Sequence, residues 1–215
     1  MKKGKFIVFE GLDGAGTSTQ VYRLREYLIL RGVNVEISKE PTNGPIGTVI
    51  RLAIEGRVNL DSRALALAFA ADRADHLFNA YNGILTSLDA GRWIISDRYV
   101  LSSFAYQGIE VDDRRWLEEI NNFVITPDLT FFVDTPVSVC ADRINSRSSH
   151  IELFHTTEKL ENVATNFTSI KNLDRFTGRL VVVDGTEGVE SVYKSLLPSI
   201  DALLAEETQS AQVNA

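Results

Sequence analysis

Two textures alternate along the chain. Five short apolar runs recur: Phe6–Phe9, Val33–Ile37, Trp93–Ile95, Leu129–Val133 and Leu180–Val183. Glycine, small polar or charged residues bound them, and β-branched and aromatic side chains fill them. Each therefore predicts a buried strand. Between them run longer segments with helical spacing. Leu24, Leu28 and Arg31 mark a helix after the first run. Leu65, Phe69, Leu77, Ile84 and Leu88 stripe one long segment, 65–88, and Leu160, Val163 and Phe167 stripe a third. Strands alternating with helices predict an α/β fold, a parallel sheet with helices on both faces. No Pro/Ser-rich linker and no internal repeat divides the chain, so 1–206 reads as one domain. The polar stretch 207–215 predicts a frayed tail.

Composition narrows the partners. At 215 residues and 44% hydrophobic content the chain can bury one sizeable core. Its net charge of −7 and pI near 5.0 disfavour a nucleic-acid surface, which needs a basic face. Small anions stay open, because local arginines and backbone N–H groups can bind phosphate within an acidic protein. The one cysteine, Cys140, excludes an intrachain disulfide and fits a reducing cytosol. No apolar run approaches a membrane span or a signal peptide's apolar core. These features predict a cytoplasmic protein with no membrane partner. His76, His150 and His155 show no zinc-ligand spacing with Cys140.

The first strand runs into Gly11-Leu12-Asp13-Gly14-Ala15-Gly16-Thr17-Ser18-Thr19 and then a helix. Gly11, Gly16 and Ser18 fit the phosphate-loop pattern G-x-x-x-x-G-K-[ST]. Glycines let the backbone curl so that N–H groups point at phosphate oxygens, and the helix start adds partial positive charge. Ser18 is placed to ligate Mg²⁺. Thr17 stands where the pattern has lysine. The other reading of Gly11–Gly16 is a tight strand-to-helix turn.

Other strands also end in polar groups: Ser38-Lys39-Glu40-Pro41, Ser96-Asp97-Arg98-Tyr99 and Val133-Asp134. Carboxyl ends of parallel strands are where open α/β sheets hold ligands. Asp97 is placed to hold Mg²⁺ or its waters, and Arg98 to clamp a phosphoryl group.

Phe9-Glu10-Gly11-Leu12-Asp13-Gly14-Ala15-Gly16, Lys39-Glu40-Pro41, Phe69-Ala70-Ala71-Asp72-Arg73, Asp97-Arg98-Tyr99, Ser102-Ser103-Phe104-Ala105-Tyr106-Gln107-Gly108 and Val182-Val183-Asp184-Gly185-Thr186 occur in that order. Together they resemble the thymidylate kinase family over nearly the full length. The resemblance implies a P-loop nucleoside monophosphate kinase fold. Its five-stranded parallel sheet would have the order 2-3-1-4-5, with a short lid around 143–156. It implies transfer of the γ-phosphoryl group of ATP to dTMP, giving dTDP and ADP, with Mg²⁺. Residues 11–19 would bind ATP. Asp13 would accept from the sugar 3′-hydroxyl, Phe69 would stack on thymine, and Arg73 would donate to its carbonyl edge. Ser102 and Gln107 would read the remaining edge, with Glu40 also at the acceptor. Tyr106 would crowd the 2′ position. Lys39 and Arg98 would grip the acceptor phosphate, and Asp97 and Ser18 would organise the metal. Gly14, rather than arginine, after the loop aspartate implies catalytic arginines in the lid, met by Arg143 and Arg147. A homodimer packed through helices, the 65–88 segment included, is also implied. A kinase of another nucleotide and a non-catalytic nucleotide-binding protein stay as alternatives, the latter because of Thr17.

Overall fold

A computed structural model describes residues 3–147, 157–170 and 173–213. β1 (Phe6–Gly11) is the middle strand of a five-stranded sheet with β2 (Val35–Lys39), β3 (Trp93–Asp97), β4 (Leu129–Asp134) and β5 (Arg179–Asp184). The sheet is parallel throughout and runs β2-β3-β1-β4-β5, the expected order. All six β1 residues are buried, as a central strand covered on both faces requires. This is the P-loop nucleoside monophosphate kinase fold.

The connections are helical: α1 (Thr17–Leu30), α2 (Pro45–Ile54), α3 (Ser62–Phe78), α4 (Ile84–Asp89), α5 (Val100–Gln107), α6 (Arg114–Ile120), α7 (Val137–Arg147), α8 (Thr157–Ile170), α9 (Asp174–Thr177) and α10 (Val189–Val213). α1 packs against α10, and α5 against α8. One core joins Phe9 and Phe131, with ring centroids 5.1 Å apart, to Leu24 and Leu28 of α1 and Leu196 and Ile200 of α10. Each such side chain contributes about 1.5–3 kcal/mol on leaving water.

Three expectations need correction. β2 begins at Val35, not Val33, because the Val33 N–H donates to Leu28 O (3.0 Å) and closes the turn after α1. The single 65–88 segment is two helices, α3 and α4, separated by Asn79–Gly83. A Cβ on Gly83 would sit 2.5 Å from Asn79 O, so the chain doubles back too tightly for a continuous helix. The frayed tail is instead helical to Val213, where Glu206, Gln209 and Ala211 favour helix. The 148–156 part of the expected lid lies outside the described residues.

Candidate active site

The carboxyl ends of β1, β2 and β3 converge because β1 and β2 both pair with β3. Phe9 and Lys39 each lie in register with Asp97. Two adjoining hollows open there. The smaller, about 160 Å³, is lined by Asp13, Gly14, Gly16, Thr17, Ser18, Thr19, Asp97 and Arg98. The larger, about 500 Å³, is of small-ligand size, and its lining includes Phe69, Arg73, Ser102, Tyr106 and Gln107 together with Lys39, Glu40 and Arg51. Asp13, Ser18 and Arg98 line both.

The smaller hollow is lined mostly by residues of the loop. Gly16 caps α1 with φ 101°, and no side chain caps that end, so the first N–H groups of the helix are left for an anion. Gly14 has φ 84°, and a Cβ there would lie 2.5 Å from Cys140 O. Only glycine lets α7 pack this closely on the loop. That packing delivers Arg143, whose Nη1 donates to Ala15 O (3.2 Å) and Gly14 O (3.4 Å) and whose Nη2 donates to Gly185 O (2.9 Å). Its guanidinium thus braces the carbonyl side of the loop. Arg147 ends α7. Thr17 is buried, and its methyl lies 3.5 Å from where a Gly11 Cβ would be.

Asp97 ends β3. Ser18 Oγ donates to Asp97 Oδ2, while the buried Asp97 Oδ1 has no hydrogen-bond partner. A hydroxyl beside a carboxylate with an unspent oxygen is a hard-oxygen donor set that suits Mg²⁺, which keeps waters and phosphate oxygens as its other ligands. Among the described residues no group of three or more His, Cys, Asp or Glu is arranged to hold a metal ion.

Arg98 follows at φ 78°, a left-handed conformation that costs a non-glycine residue on the order of 1–3 kcal/mol. It turns the guanidinium across the loop: Nη2 donates to Asp13 Oδ1 (2.6 Å) and Nη1 to Gly11 O. The Asp13 N–H donates to Tyr106 Oη (3.0 Å), tying the loop to α5.

α5 is positioned by Glu10, fully buried at the end of β1. Its carboxylate accepts from Tyr99 N (3.0 Å), Ser102 N (3.3 Å) and Ser102 Oγ (2.5 Å), capping the start of the helix from a distance. Burial pushes the Glu10 carboxyl up to about 7, against the pull of Arg98 and the Ser102 hydrogen bonds. The far end of α5 holds Gln107, whose buried Oε1 has no partner.

Arg73 is 1% exposed. Nε and Nη2 grip Glu40 Oε2 (2.8 and 2.6 Å), Nη1 donates to Asn121 Oδ1 (2.5 Å), and Nη2 donates to Ser103 Oγ (2.8 Å). One Nη1 hydrogen is left out of this set. Burial raises the Glu40 carboxyl, but Arg73 and His76 outweigh it and hold Glu40 below the usual carboxylate range.

A sequence model of the family described as thymidylate kinase matches residues 9–196. The chain is 39% identical over 210 residues to a Thermococcus kodakarensis protein named probable thymidylate kinase, covering 94% of this chain and all of that one. It is 35% identical over 202 residues to the thymidylate kinase of Desulfotalea psychrophila, covering 94% and 96%. The chain belongs to the thymidylate kinase family.

Within that family's frame, the two hollows bring together Asp13, Gly14, Gly16, Thr17, Ser18, Thr19, Lys39, Glu40, Phe69, Arg73, Asp97, Arg98, Ser102, Tyr106 and Gln107, while the Arg147 side chain lies outside the described residues. Arg143 sits against loop carbonyls. Asn121, Ser103, Arg51 and Glu10 belong to the same site and were not singled out. Asn121 is recognisable only as the end of α6 once that helix packs on α3. Glu10 carried a signal, a charged residue ending a buried strand.

Proposed function

We propose that the chain is a thymidylate kinase, transferring the γ-phosphoryl group of ATP to dTMP to give dTDP and ADP. The observation that carries the acceptor assignment is an unpartnered acceptor, Gln107 Oε1, in a residue that lines one cavity with the donor Arg73. Thymine offers an N–H donor next to carbonyl acceptors, the complement of that pair. Cytosine offers a ring-nitrogen acceptor and an amino donor, which face the wrong groups. A site built on hydrogen bonds rejects mismatched bases strongly, because its buried polar groups are left unpaired.

In this reading Phe69 stacks on the base, and Ser102, held by Glu10, closes its remaining edge. Asp13 takes the 3′-hydroxyl with its second oxygen, and Tyr106 occupies the 2′ side. Lys39 and Arg98 hold the acceptor phosphate, with Arg51 a further cation on the wall. The phosphate loop, residues 11–19, cradles ATP. Asp97 and Ser18 hold Mg²⁺, which when bound supplies charge neutralisation for the transferring group. An acceptor phosphate oxygen bonds to the γ-phosphorus as the bond to the β-bridging oxygen breaks, and ADP leaves with that electron pair. No side chain need take a proton, since the acceptor is already anionic; catalysis is positioning and charge.

In this reading the protein works in the cytoplasm as a homodimer, with residues 1–206 as one catalytic unit. No helix among the described residues is long and apolar enough to cross a membrane. Leu67, Ala71 and Phe78 are exposed at i, i+4 and i+11 on α3, an apolar stripe that a second copy would cover. ADP release measured over dTMP, dCMP, UMP and other nucleoside monophosphates tests the assignment. Selective turnover of dTMP supports it, and equal rates on dTMP and dCMP would sink it. Thr17 favours one second reading, a nucleotide-binding protein without transfer; dTMP binding with no ADP release would establish that one.

A further inference from the structure

Ser38 near the end of β2, then Glu40 and Thr42 beyond it, pair in turn with α3. Ser38 Oγ bonds His76 Nε2. Glu40 Oε1 bonds His76 Nδ1 (3.0 Å), and Glu40 Oε2 bonds Arg73. Thr42 N and Oγ1 both donate to the buried carboxylate of Asp72 (2.7 Å each). Lys39, Glu40 and Pro41 line the larger cavity, while Ser38 and Thr42 do not. Within β2 neighbours face opposite sides, so what holds Ser38 onto α3 also turns Lys39 into the cavity.

We propose that His76 is a positioning residue for the acceptor site: by bridging Ser38 and Glu40 it fixes the carboxylate that anchors Arg73 and sets the strand end that presents Lys39. A carboxylate only accepts, so Nδ1 carries the proton at the Glu40 bond, and Nε2 and the Ser38 hydroxyl share the outer one. Arg73 uses Glu40 Oε2; His76 occupies Oε1. Without the imidazole, Oε1 loses its partner and the carboxylate can rotate, carrying the Arg73 donor away from the base. Serine, histidine and glutamate in this order also occur in hydrolytic triads. Here Glu40 is spent on Arg73 and Ser38 does not reach the cavity, so the array serves to orient and not to attack.

The proposal rests on the larger cavity being the dTMP site, and the test separates the two. KM for dTMP, KM for ATP, kcat and thermal midpoint are measured for His76→Ala, His76→Asn, His76→Gln, Ser38→Ala and Arg73→Ala. His76→Ala is expected to raise KM for dTMP at least about fivefold, the lower end for leaving a buried acceptor unpaired. KM for ATP should stay within about twofold of wild type on the same scale. The asparagine amide nitrogen takes the place of Nδ1 and keeps the Glu40 bond; the glutamine amide nitrogen takes the place of Nε2 and does not. Asparagine should therefore restore dTMP affinity and glutamine should not, whatever either does to the midpoint. Ser38→Ala should raise KM for dTMP less than His76→Ala does. Should His76→Ala fail to fold, the asparagine–glutamine contrast decides. An unchanged KM for dTMP in the folded His76 variants, or equal rescue by asparagine and glutamine, overturns the proposal. If Arg73→Ala also leaves KM for dTMP unchanged, the cavity is not the acceptor site and both readings fall.

Discussion

The two hollows share Asp13, Ser18 and Arg98 but are built differently. In the larger one charged side chains are held by other side chains: Arg73 by Glu40, Asn121 and Ser103, and Glu40 by His76. The smaller one is lined chiefly by the loop itself. Arg98 is its one lining cation among the described residues, and Arg98 is already paired with Asp13. The difference follows from what each must recognise. A base edge is read by a few donors and acceptors at fixed angles, which only locked side chains can hold. A polyphosphate is met by converging N–H groups and a metal, which survive the loss of one side chain. On the proposed reading, the phosphate side should therefore do without a lysine at 17, whereas the acceptor side should have little room for change.

The largest effect should break the phosphate side. Asp97→Asn removes the charge of the one carboxylate aimed at the metal. kcat should fall by about two to three orders of magnitude, since metal charge stabilisation contributes several kcal/mol and each ~1.4 kcal/mol is tenfold. KM for both nucleotides should move little, because neutralisation matters most as the phosphoryl group transfers. Rates across a magnesium titration check this; normal activity at any magnesium level would remove Asp97 from the role.

The next concerns the cost of building the acceptor side from buried charge. Glu10 holds α5 at the expense of a desolvated carboxyl whose folded pKa is about 7, against 4.5 unfolded. A raised carboxyl pKa means the folded state binds more protons between those values, so this group's contribution to stability falls as pH rises from ~4.5 to ~7. The shift corresponds to on the order of 3 kcal/mol. Glu10→Gln can keep the bonds from Tyr99 and Ser102 without the charge. Denaturant titrations at several pH values should show the wild type losing ground to the variant across that window. A constant difference between the two curves would show that the carboxyl does not titrate there.

Sequence reading reached the two hollows unequally. The phosphate loop is contiguous, so its whole backbone role is legible in nine residues, Thr17 included. The five strands were legible too, because buried parallel strands are short apolar runs. The α3–α4 break was not, since Leu77, Ile84 and Leu88 stay in helical phase across the turn and mask Asn79 and Gly83 as stop signals. On the acceptor side, Phe69, Arg73 and Gln107 came from the resemblance. Ser38, Thr42, His76 and Asn121 are ordinary polar residues whose partners lie 30 or more positions away. Only the docking of α3 and α6 pairs them.

A smaller effect tests the acceptor side's selectivity for the sugar. Tyr106 is buried beside Asp13, and its hydroxyl is fixed by the Asp13 N–H. Ribothymidylate should be a poorer acceptor than dTMP, by about 10-fold if the added hydroxyl displaces one hydrogen bond. Tyr106→Ala should narrow that ratio. An unchanged ratio of kcat/KM values would take the tyrosine out of this role.

The smallest change expected is the one at the most conspicuous position. Thr17→Lys restores the pattern residue, yet we expect the wild type to be active already and the gain to be under about tenfold, less than one hydrogen bond to a charged group. Two features limit it. Thr17 is buried with its methyl toward Gly11, so a lysine stem must displace packed atoms before its ammonium reaches phosphate. Arg143 already places a full charge against the loop, 3.2 Å from Ala15 O, where it polarises the Ala15–Gly16 peptide. If that charge does part of the missing lysine's work, the two must be coupled. Arg143→Ala should then cost more in the wild type than in Thr17→Lys, by an interaction energy read from the double-mutant cycle. Arg147→Ala, measured alongside, separates the loop-bracing arginine from one acting elsewhere in α7. Equal losses from Arg143→Ala in both backgrounds would show that the arginine only supports the loop, leaving the kinase assignment standing. An inert wild type revived by Thr17→Lys would instead show that the phosphate side does need its lysine, and that this chain binds nucleotide without transferring from it.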